Sequence, residues 1–272
     1  MSIVRSKAVT KAVSPAEDLH SRNSHAPRIL VMLLALFVLA GISVILFLML
    51  FRLPDMYRRQ AERMLAPTIR SAKVGDPVFL GAYEQDNDES NGTEPIEWII
   101  LEKQDDRSLL MSRYALDCVR FNNEEAFVTW DRSSILTWLN STFYYDAFNG
   151  AERAMLVRSE QLTDANPLFD AYAGEVTEEK IFLANIAQTV KYMPTEEERI
   201  CVATPYAAAQ GAVTDDETGS CLWWLRSPGF DDSVAARVLL DGRINYCGYR
   251  VQSMRQGVRP FLWVTFEPLQ NK

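Results

Sequence analysis

The distribution of apolar positions divides the chain into two unlike parts. Residues 29–51 form a run of 23 residues without a charged side chain, weakened only by Gly41 and Ser43. As an α-helix this run would extend about 34 Å, enough to cross a hydrocarbon core of about 30 Å. A cleaved signal peptide has a shorter apolar stretch, of about 7–15 residues. We therefore expect a polar tail at 1–28 and a transmembrane helix at 29–51, with the lipid bilayer as the partner of the helix.

Basic side chains flank the apolar run on both sides. The tail carries Arg5, Lys7, Lys11, Arg22 and Arg28, and the other flank carries Arg52, Arg58, Arg59 and Arg63. Because positive charge concentrates on the cytoplasmic side of a membrane, the two basic flanks nearly balance, with a slight preference for a cytoplasmic C-terminal domain. We interpret residues 52–73 as a basic stalk whose arginines contact anionic lipid headgroups.

From residue 74 onwards, short apolar segments alternate with turn sequences. Residues 96–101 and 108–111 predict one β-hairpin, and residues 235–240 and 243–249 predict a second one. The second hairpin carries Asp241-Gly242 between its strands. This dipeptide predicts a two-residue turn, because both positions tolerate a positive φ.

Helical patterns lie between the two hairpins. Residues 135–140 place apolar side chains at helical spacing, and Thr195 opens a sequence with the spacing of a capping box. The last apolar run, at 257–266, contains Pro260 and suits an edge or bulged strand, because proline has no backbone donor. Hairpins at both ends with helices between them predict one α+β domain at 74–272.

Charge and histidine content exclude several classes of function. The whole chain has 28 basic and 36 acidic side chains, and residues 74–272 have 17 basic and 32 acidic ones, a net charge of about −15. Nucleic-acid-binding domains are basic, so we expect no nucleic acid among the partners. The two histidines, His20 and His25, both lie in the tail. The domain therefore cannot use Ser-His-Asp or Cys-His catalysis, or most zinc chemistry.

The cysteines leave three interpretations open. The chain has four widely spaced cysteines without a metal or redox motif: Cys118, Cys201, Cys221 and Cys247. They are separate buried apolar side chains, or two of them form a disulfide, or one is a reactive thiolate. Cys247 is the candidate thiolate, because Arg243 and Arg250 lie close to it in sequence and would lower the pKa of its thiol.

Acidic side chains give no specific catalytic or metal motif. Residues 86–97 partly resemble a calcium-binding loop, but the glycine comes one place late and Pro95 interrupts the loop. We interpret the segment as a polar turn, and we expect neither a metal nor a cofactor. A hydrolase that uses two carboxylates stays open, although no spacing singles out one pair.

The C-terminal segment differs in composition from the rest of the acidic domain. It interleaves two tyrosines, Tyr246 and Tyr249, with six arginines: Arg226, Arg237, Arg243, Arg250, Arg255 and Arg259. Both residue types are enriched at binding hot spots, which favours a recognition surface. The alternative is that the arginines form internal ion pairs with the many carboxylates.

Ordered motifs in this segment resemble a known family. Residues 223–229 read Trp-Trp-Leu-Arg-Ser-Pro-Gly, and residues 257–260 read Gly-Val-Arg-Pro. Between them come Ala-Arg-Val at 236–238 and the Asp-Gly turn, and matching motifs begin at Val-Gly-Asp, 74–76. With these motifs the chain resembles the bacterial domain of unknown function 6273 family over 74–265. The resemblance implies a C-type-lectin-like fold, similar to formylglycine-generating enzymes and to the variable proteins of diversity-generating retroelements.

The resemblance also implies a position for the binding surface. In the variable proteins this surface is displayed by the C-terminal hairpin region, which here holds Arg243, Asn245, Tyr246, Tyr249, Arg250, Gln252 and Ser253. The calcium-binding motifs of lectins are absent, and the closely spaced cysteine pair of formylglycine-generating enzymes is replaced by Cys247 and Gln252. We interpret Arg226 and Arg259 as structural, with Trp224 and Trp263 in the core.

The sequence therefore predicts a non-catalytic ligand-binding module for a protein or a glycan. It is expected to be membrane-anchored and displayed on the bacterial cell surface, because the family context outweighs the slight preference of the flanking charges. The alternative is an enzyme, either an oxidase related to formylglycine-generating enzymes that uses Cys247, or a carboxylate-based hydrolase.

Overall fold

The computed structural model describes residues 26–47 and 66–266, in two compact units, Met1–Leu53 and Pro54–Lys272. The first unit contains helix α1, Ala26–Phe47, whose described large apolar side chains are all exposed. None of the helices within the described residues combines the length and apolarity needed to cross a membrane. The predicted tail up to residue 25, residues 48–51 of the predicted membrane segment and the stalk up to residue 65 lie outside the described residues.

The second unit is a mixed α+β domain, which confirms the α+β part of the predicted fold class. Its helices are α2 Ala66–Ser71, α3 Ser134–Trp138, α4 Tyr144–Ala147, α5 Gly150–Met155, α6 Ile186–Tyr192, α7 Glu196–Arg199 and α8 Pro205–Ala209. Its strands are β1 Pro77–Tyr83, β2 Glu94–Lys103, β3 Arg107–Ser112, β4 Asp117–Cys118, β5 Leu156–Val157, β6 Ser159–Gln161, β7 Thr177–Glu179, β8 Ile181–Phe182, β9 Trp223–Pro228, β10 Val234–Val238, β11 Ile244–Arg250, β12 Gly257–Val258 and β13 Phe261–Thr265.

The strands build two main sheets and one small one. The first sheet has the order β1-β2-β3-β13-β5, with β8 also paired to β13, and the second has the order β11-β10-β9-β12-β4. Strands β6 and β7 form the small sheet. The first predicted hairpin is β2–β3, with Ile99 opposite Met111. The second is β10–β11, at the edge of the second sheet, with Val238 opposite Ile244.

One hydrophobic core connects both main sheets. It contains Trp98 from the first sheet and Trp223 and Trp224 from the second, all fully buried. Trp263 on β13 is 9% exposed. The predicted core positions of Trp224 and Trp263 are therefore confirmed. Burial of these indoles dominates the packing, because a buried aromatic side chain removes a large apolar area from water.

The last apolar run does not form an edge strand. It divides into β12 and β13 on either side of Pro260, and β13 lies inside the first sheet between β3 and β5. The prediction of an edge or bulge was wrong, because Pro260 falls at the break between the strands, where no ladder donor is needed. Its carbonyl still accepts a hydrogen bond of 3.0 Å from the N–H of Ser112.

Two boundaries also differ from prediction. The helix at 135–140 continues beyond Asn140 through a π-helical turn, Leu139–Phe143, into α4. The turn of the second hairpin spans 239–243, and of its central dipeptide only Gly242 has a positive φ, 82°. In contrast, the capping box at the start of α7 is confirmed, with the Thr195 hydroxyl accepting from the N–H of Glu198.

Candidate ligand-binding site

Strand β11 carries a bulge that changes which side chains it presents. Ala235 on β10 lies opposite Tyr249, whereas Arg237 lies opposite Asn245. Between these two pairs β11 advances by four residues and β10 by only two, so β11 contains two extra residues. Gly248 lies within the bulge at φ 78°. A Cβ atom at this position would be 2.7 Å from the carbonyl oxygen of Ala235. The close approach and the positive φ both require glycine here.

A buried amide holds the bulge against the end of β9. The side chain of Asn166 is 4% exposed, and its Nδ2 donates to the carbonyls of Pro228 at 2.9 Å, Gly229 at 3.2 Å and Tyr246 at 2.8 Å. Its Oδ1 accepts from the N–H of Leu168 at 3.0 Å. Asn166 therefore connects three chain segments, and no local sequence pattern marks it.

A cavity of about 420 Å³ opens beside this end of the hairpin. Three predicted ligand-binding residues line it: Tyr249, Arg250 and Gln252. Arg250 is exposed, and within the described residues its guanidinium makes no ion pair or hydrogen bond. The cavity thus combines an aromatic face with a free cationic group, which suits a polar or anionic ligand.

Two of the other predicted residues, Arg243 and Asn245, do not line the cavity. Arg243 forms an exposed ion pair with Asp241, with 2.6 Å between Nε and Oδ2. The Oδ1 of Asn245 accepts from the N–H of Gly248 at 3.2 Å, so its side chain stabilises the bulge. Both side chains therefore make contacts within the hairpin itself, Arg243 at its turn and Asn245 at its bulge.

Tyr246 and Ser253 are also outside the cavity. Tyr246 is half-buried against the hydrophobic core. The Oγ of Ser253 is buried and has no hydrogen-bond partner among the described residues. The structure therefore brings together three of the seven predicted residues, because the bulge turns neighbouring positions of β11 in different directions.

Sequence reasoning missed other groups at this site. Glu125 and Phe230 line the cavity, and the Phe230 side chain is 52% exposed. The available signal for Phe230 was an aromatic residue inside a turn sequence. Arg237 lies under the site, with its guanidinium carbon 4.1 Å from the centre of the Tyr249 ring. Burial lowers the pKa of Arg237, which is half-buried.

The internal ion-pair interpretation of the C-terminal arginines finds little support. Of the six, only Arg243 has a carboxylate within 4.0 Å among the described residues. Arg226 is 1% exposed and donates to Thr163 and Gln188 side chains and to two carbonyls. Burial lowers the pKa of Arg226 to about 10. Its predicted structural role is confirmed.

Two buried carboxyl groups have raised pKa values. Burial raises the pKa of Asp117, although it accepts a hydrogen bond of 2.6 Å from the Tyr83 hydroxyl. Burial also raises the pKa of Glu179, whose Oε1 accepts from Trp130 Nε1 at 2.8 Å. Burial is the largest cause of both raised pKa values.

The cysteines are not all separate. Cys118, Cys201 and Cys221 are buried, Cys247 is exposed, and all four are free thiols. The N–H of Cys221 donates to the carbonyl of Cys201 at 2.7 Å, and the interaction of the two neighbouring thiols favours ionisation of one over the other. The pKa of Cys201 is lowered despite its burial, also by the charge of Arg259, and that of Cys221 is raised.

A group of acidic side chains lies at the segment interpreted as a polar turn. The carboxylate oxygens of Glu84, Asp86 and Glu94 lie within 4.8 Å of one another, a spacing at which oxygen ligands could hold a cation. Glu94 also accepts from the N–H of Gln85 at 2.7 Å, and Asp86 accepts from the N–H of Asp88 at 2.9 Å. These backbone contacts account for the polar turn.

The structure thus defines an α+β domain with a candidate ligand site on a bulged C-terminal hairpin. The chain belongs to the family described as "Domain of unknown function (DUF6273)", which matches residues 105–266. The match starts after β2, so the first two strands of the first sheet lie outside it. No curated protein and no solved structure matches the chain.

Proposed function

We propose that the chain is a non-catalytic ligand-binding module that recognises a protein or a glycan at the β10–β11 hairpin. The cavity lined by Tyr249, Arg250 and Gln252 carries this proposal. An exposed guanidinium without an internal partner has its donors available, and it can donate to carboxylates, sulfates or sugar hydroxyls. The adjoining tyrosine supplies a rigid apolar face.

A C-type-lectin-like fold is part of the proposal. Its support is the ordered set of motifs at 223–260 together with the position of the hairpin, which presents the C-terminal segment at the edge of a sheet. In this arrangement the tryptophans of β9 lie in the core, and β11 lies at the edge of the second sheet.

Display on the bacterial cell surface through a membrane anchor is also proposed. Its support is the uncharged run at 29–51 and the exposure of the described apolar side chains of α1, which need a lipid or protein environment. The family resemblance favours an extracellular domain. The oxidase alternative has less support, since Cys247 is the only exposed thiol in the described chain and has no second exposed thiol to pair with. The hydrolase alternative has less support because the closely spaced carboxylates Glu84, Asp86 and Glu94 accept backbone hydrogen bonds of the polar turn.

The test compares two charge reversals on one hairpin. The full chain, purified in detergent, is screened on a glycan array and against a displayed peptide library, and each hit is titrated with three variants. Arg250→Glu should weaken binding by about tenfold or more, because it reverses the charge at the cavity. Arg243→Glu, an exposed arginine outside the cavity, and Cys247→Ser should bind within about threefold of the wild type.

The outcomes separate the candidate functions. Equal binding by Arg250→Glu and wild type would place the ligand elsewhere and contradict the hairpin site. Equal loss in both arginine variants would indicate a general charge effect. Turnover of a substrate that disappears in Cys247→Ser would instead favour the oxidase.

A further inference from the structure

A second cavity, of about 590 Å³, shares no lining residue with the hairpin cavity. Its volume is within the range of small-molecule sites. Most of its wall is apolar, and the apolar side chains are Val74, Ile99, Ile100, Leu101, Met111, Met193, Ile200 and Val202. The charged side chains are Arg113, Glu198 and Arg259.

Arg259 forms the polar part of the cavity wall. The side chain is 4% exposed, its Nε donates to the carbonyl of Ser112 at 3.1 Å, and its Nη1 lies 3.6 Å from the sulfur of Met193. The guanidinium carbon is 5.2 Å from the centre of the Trp223 ring. Nη2 makes no hydrogen bond within the described residues, and it is not sealed from solvent. It therefore opens to the cavity.

Arg226 provides the contrast within the same fold. It is equally buried, but all three of its guanidinium nitrogens donate to oxygen atoms of the protein. The sequence motifs predict one structural role for Arg226 and Arg259 alike. Every guanidinium nitrogen of Arg226 thus has an acceptor in the protein, whereas Nη2 of Arg259 has none among the described residues.

No carboxylate neutralises Arg259 among the described residues. Arg113 is already paired with Glu97 at 3.0 Å. The carboxylate of Glu198 accepts from the N–H and hydroxyl of Thr195 and forms no ion pair with Arg259. The buried Cys201 thiol, to whose lowered pKa the charge of Arg259 contributes, compensates this charge only when it is ionised. A buried charge is stable only when it is compensated, so the site favours an anion from outside whenever the thiol is neutral.

We propose that this cavity binds a small organic carboxylate with an apolar body, whose carboxylate pairs with Arg259. The free Nη2 of Arg259 can donate to one carboxylate, and the apolar walls match an uncharged remainder. Glu198 at the same cavity disfavours a second negative charge on the ligand. This second site does not depend on the function proposed for the hairpin.

The experiment uses matched probes and matched variants of the full chain in detergent. The probes are 3-phenylpropionate and its neutral analogue 3-phenylpropionamide, titrated by calorimetry. Val202 lines the cavity and is 37% exposed. Val202→Glu adds a carboxylate to the wall of the cavity that Arg259 also lines, whereas Val202→Gln adds nearly the same volume without charge. Should Val202→Glu fail to fold, the same pair of substitutions is made at Ile200, which is 40% exposed.

The acid should bind the wild type at least about tenfold tighter than the amide. The Glu variant should lose about tenfold or more of this affinity, and the Gln variant should stay within about threefold. Equal binding of acid and amide, no saturation by the acid up to about 10 mM, or equal behaviour of the two variants would each overturn the proposal. Arg250→Glu should leave acid binding unchanged, which separates this site from the hairpin site.

Discussion

At the scale of single residues, buried polar groups in this domain differ in how completely the fold satisfies them. Asn166 uses its amide nitrogen and oxygen for four backbone contacts. Glu179 is 4% exposed, and its Oε2 has no hydrogen-bond partner among the described residues. A buried acceptor without a donor costs about 1–3 kcal/mol of stability. We therefore expect the charged Glu179 to destabilise the fold, whereas a glutamine amide can donate to the neighbouring Thr177 Oγ1, which also lacks a partner among the described residues.

Replacing Glu179 with Gln should stabilise the domain in a pH-dependent way. Burial raises the pKa of Glu179 in the folded state, so the folded state retains a proton that the unfolded state loses first. The contribution of Glu179 is fully present below the carboxyl pKa of the unfolded chain, and it is lost as the pH rises through the raised pKa. The gain in Glu179→Gln should grow from near zero at about pH 4 to about 1–3 kcal/mol at neutral pH.

Urea unfolding at several pH values measures this difference. The control is Glu178→Gln, because the adjacent carboxylate side chain is 69% exposed. Its stability difference from wild type should be small and should change little with pH. A Glu179→Gln variant less stable than wild type at neutral pH would show that the carboxylate is compensated.

At the scale of elements, the β10–β11 hairpin combines a regular end with a distorted end. Near its turn, Val238 and Ile244 form an ordinary pair, whereas near Gly248 the bulge brings β11 against the end of β9. Bulges re-aim side chains, and here the bulge places Tyr249 and Arg250 at the cavity. The candidate site thus depends on backbone geometry at one glycine.

Replacing Gly248 with Ala should destabilise the hairpin strongly. A Cβ atom would lie 2.7 Å from the Ala235 oxygen and 2.9 Å from the Gly229 Cα, which are both backbone atoms, and φ is 78°. The matched control is Gly92→Ala, since Gly92 has φ 94° but a Cβ atom there would have no neighbouring atom within 4 Å. We expect a cost of about 1 kcal/mol for Gly92→Ala and at least about 2 kcal/mol more for Gly248→Ala.

Thermal or urea unfolding of both variants checks this prediction. If the two substitutions cost the same, strain at positive φ alone would explain the effect, and the close packing of β11 on β9 would be unimportant. A reduced affinity at the hairpin in folded Gly248→Ala would further connect the bulge to the binding site.

At the scale of the whole molecule, the two units have opposite surface chemistry. Residues 74–272 carry a net charge of about −15, whereas the described large apolar side chains of α1 are exposed. Such an apolar surface is unfavourable in water and suits a bilayer. A membrane anchor, as proposed above, would give the exposed apolar side chains of α1 a lipid environment.

Charges placed in α1 should release the chain from membranes. A charged residue at the centre of a membrane helix costs about 2.5–3.5 kcal/mol on insertion scales. We expect the wild type to remain in the membrane pellet after alkaline extraction and Leu34→Arg with Leu39→Arg to move to the supernatant. The control, Leu162→Arg with Leu168→Arg, adds the same charge at exposed leucines of the second unit and should stay in the pellet.

Extraction of the wild type into the supernatant would contradict the anchor. Protease added to intact cells then tests the orientation of an anchored chain. Loss of the second unit without permeabilisation supports the extracellular placement, and protection until the cells are opened contradicts it.

Local sequence was sufficient to predict the features that depend on neighbouring residues. These are the two hairpins, the capping box at Thr195, the α+β class, the uncharged run at 29–51 and the motifs of the family. Each is visible because strand alternation, helix periodicity and turn chemistry act over a few residues.

The partners of the buried polar groups, in contrast, became known only from the folded chain. The alternation of side chains along β11 could not show that Tyr249 and Arg250 line the cavity and Asn245 does not. The bulge that decides this depends on Gly229 and Asn166, which lie outside the strand. Likewise, Arg226 and Arg259 have similar local motifs. Only the folded structure shows that each guanidinium nitrogen of Arg226 has an acceptor, whereas Arg259 opens to a cavity. The number of partners for a buried charge is set by contacts between segments, which local sequence does not encode.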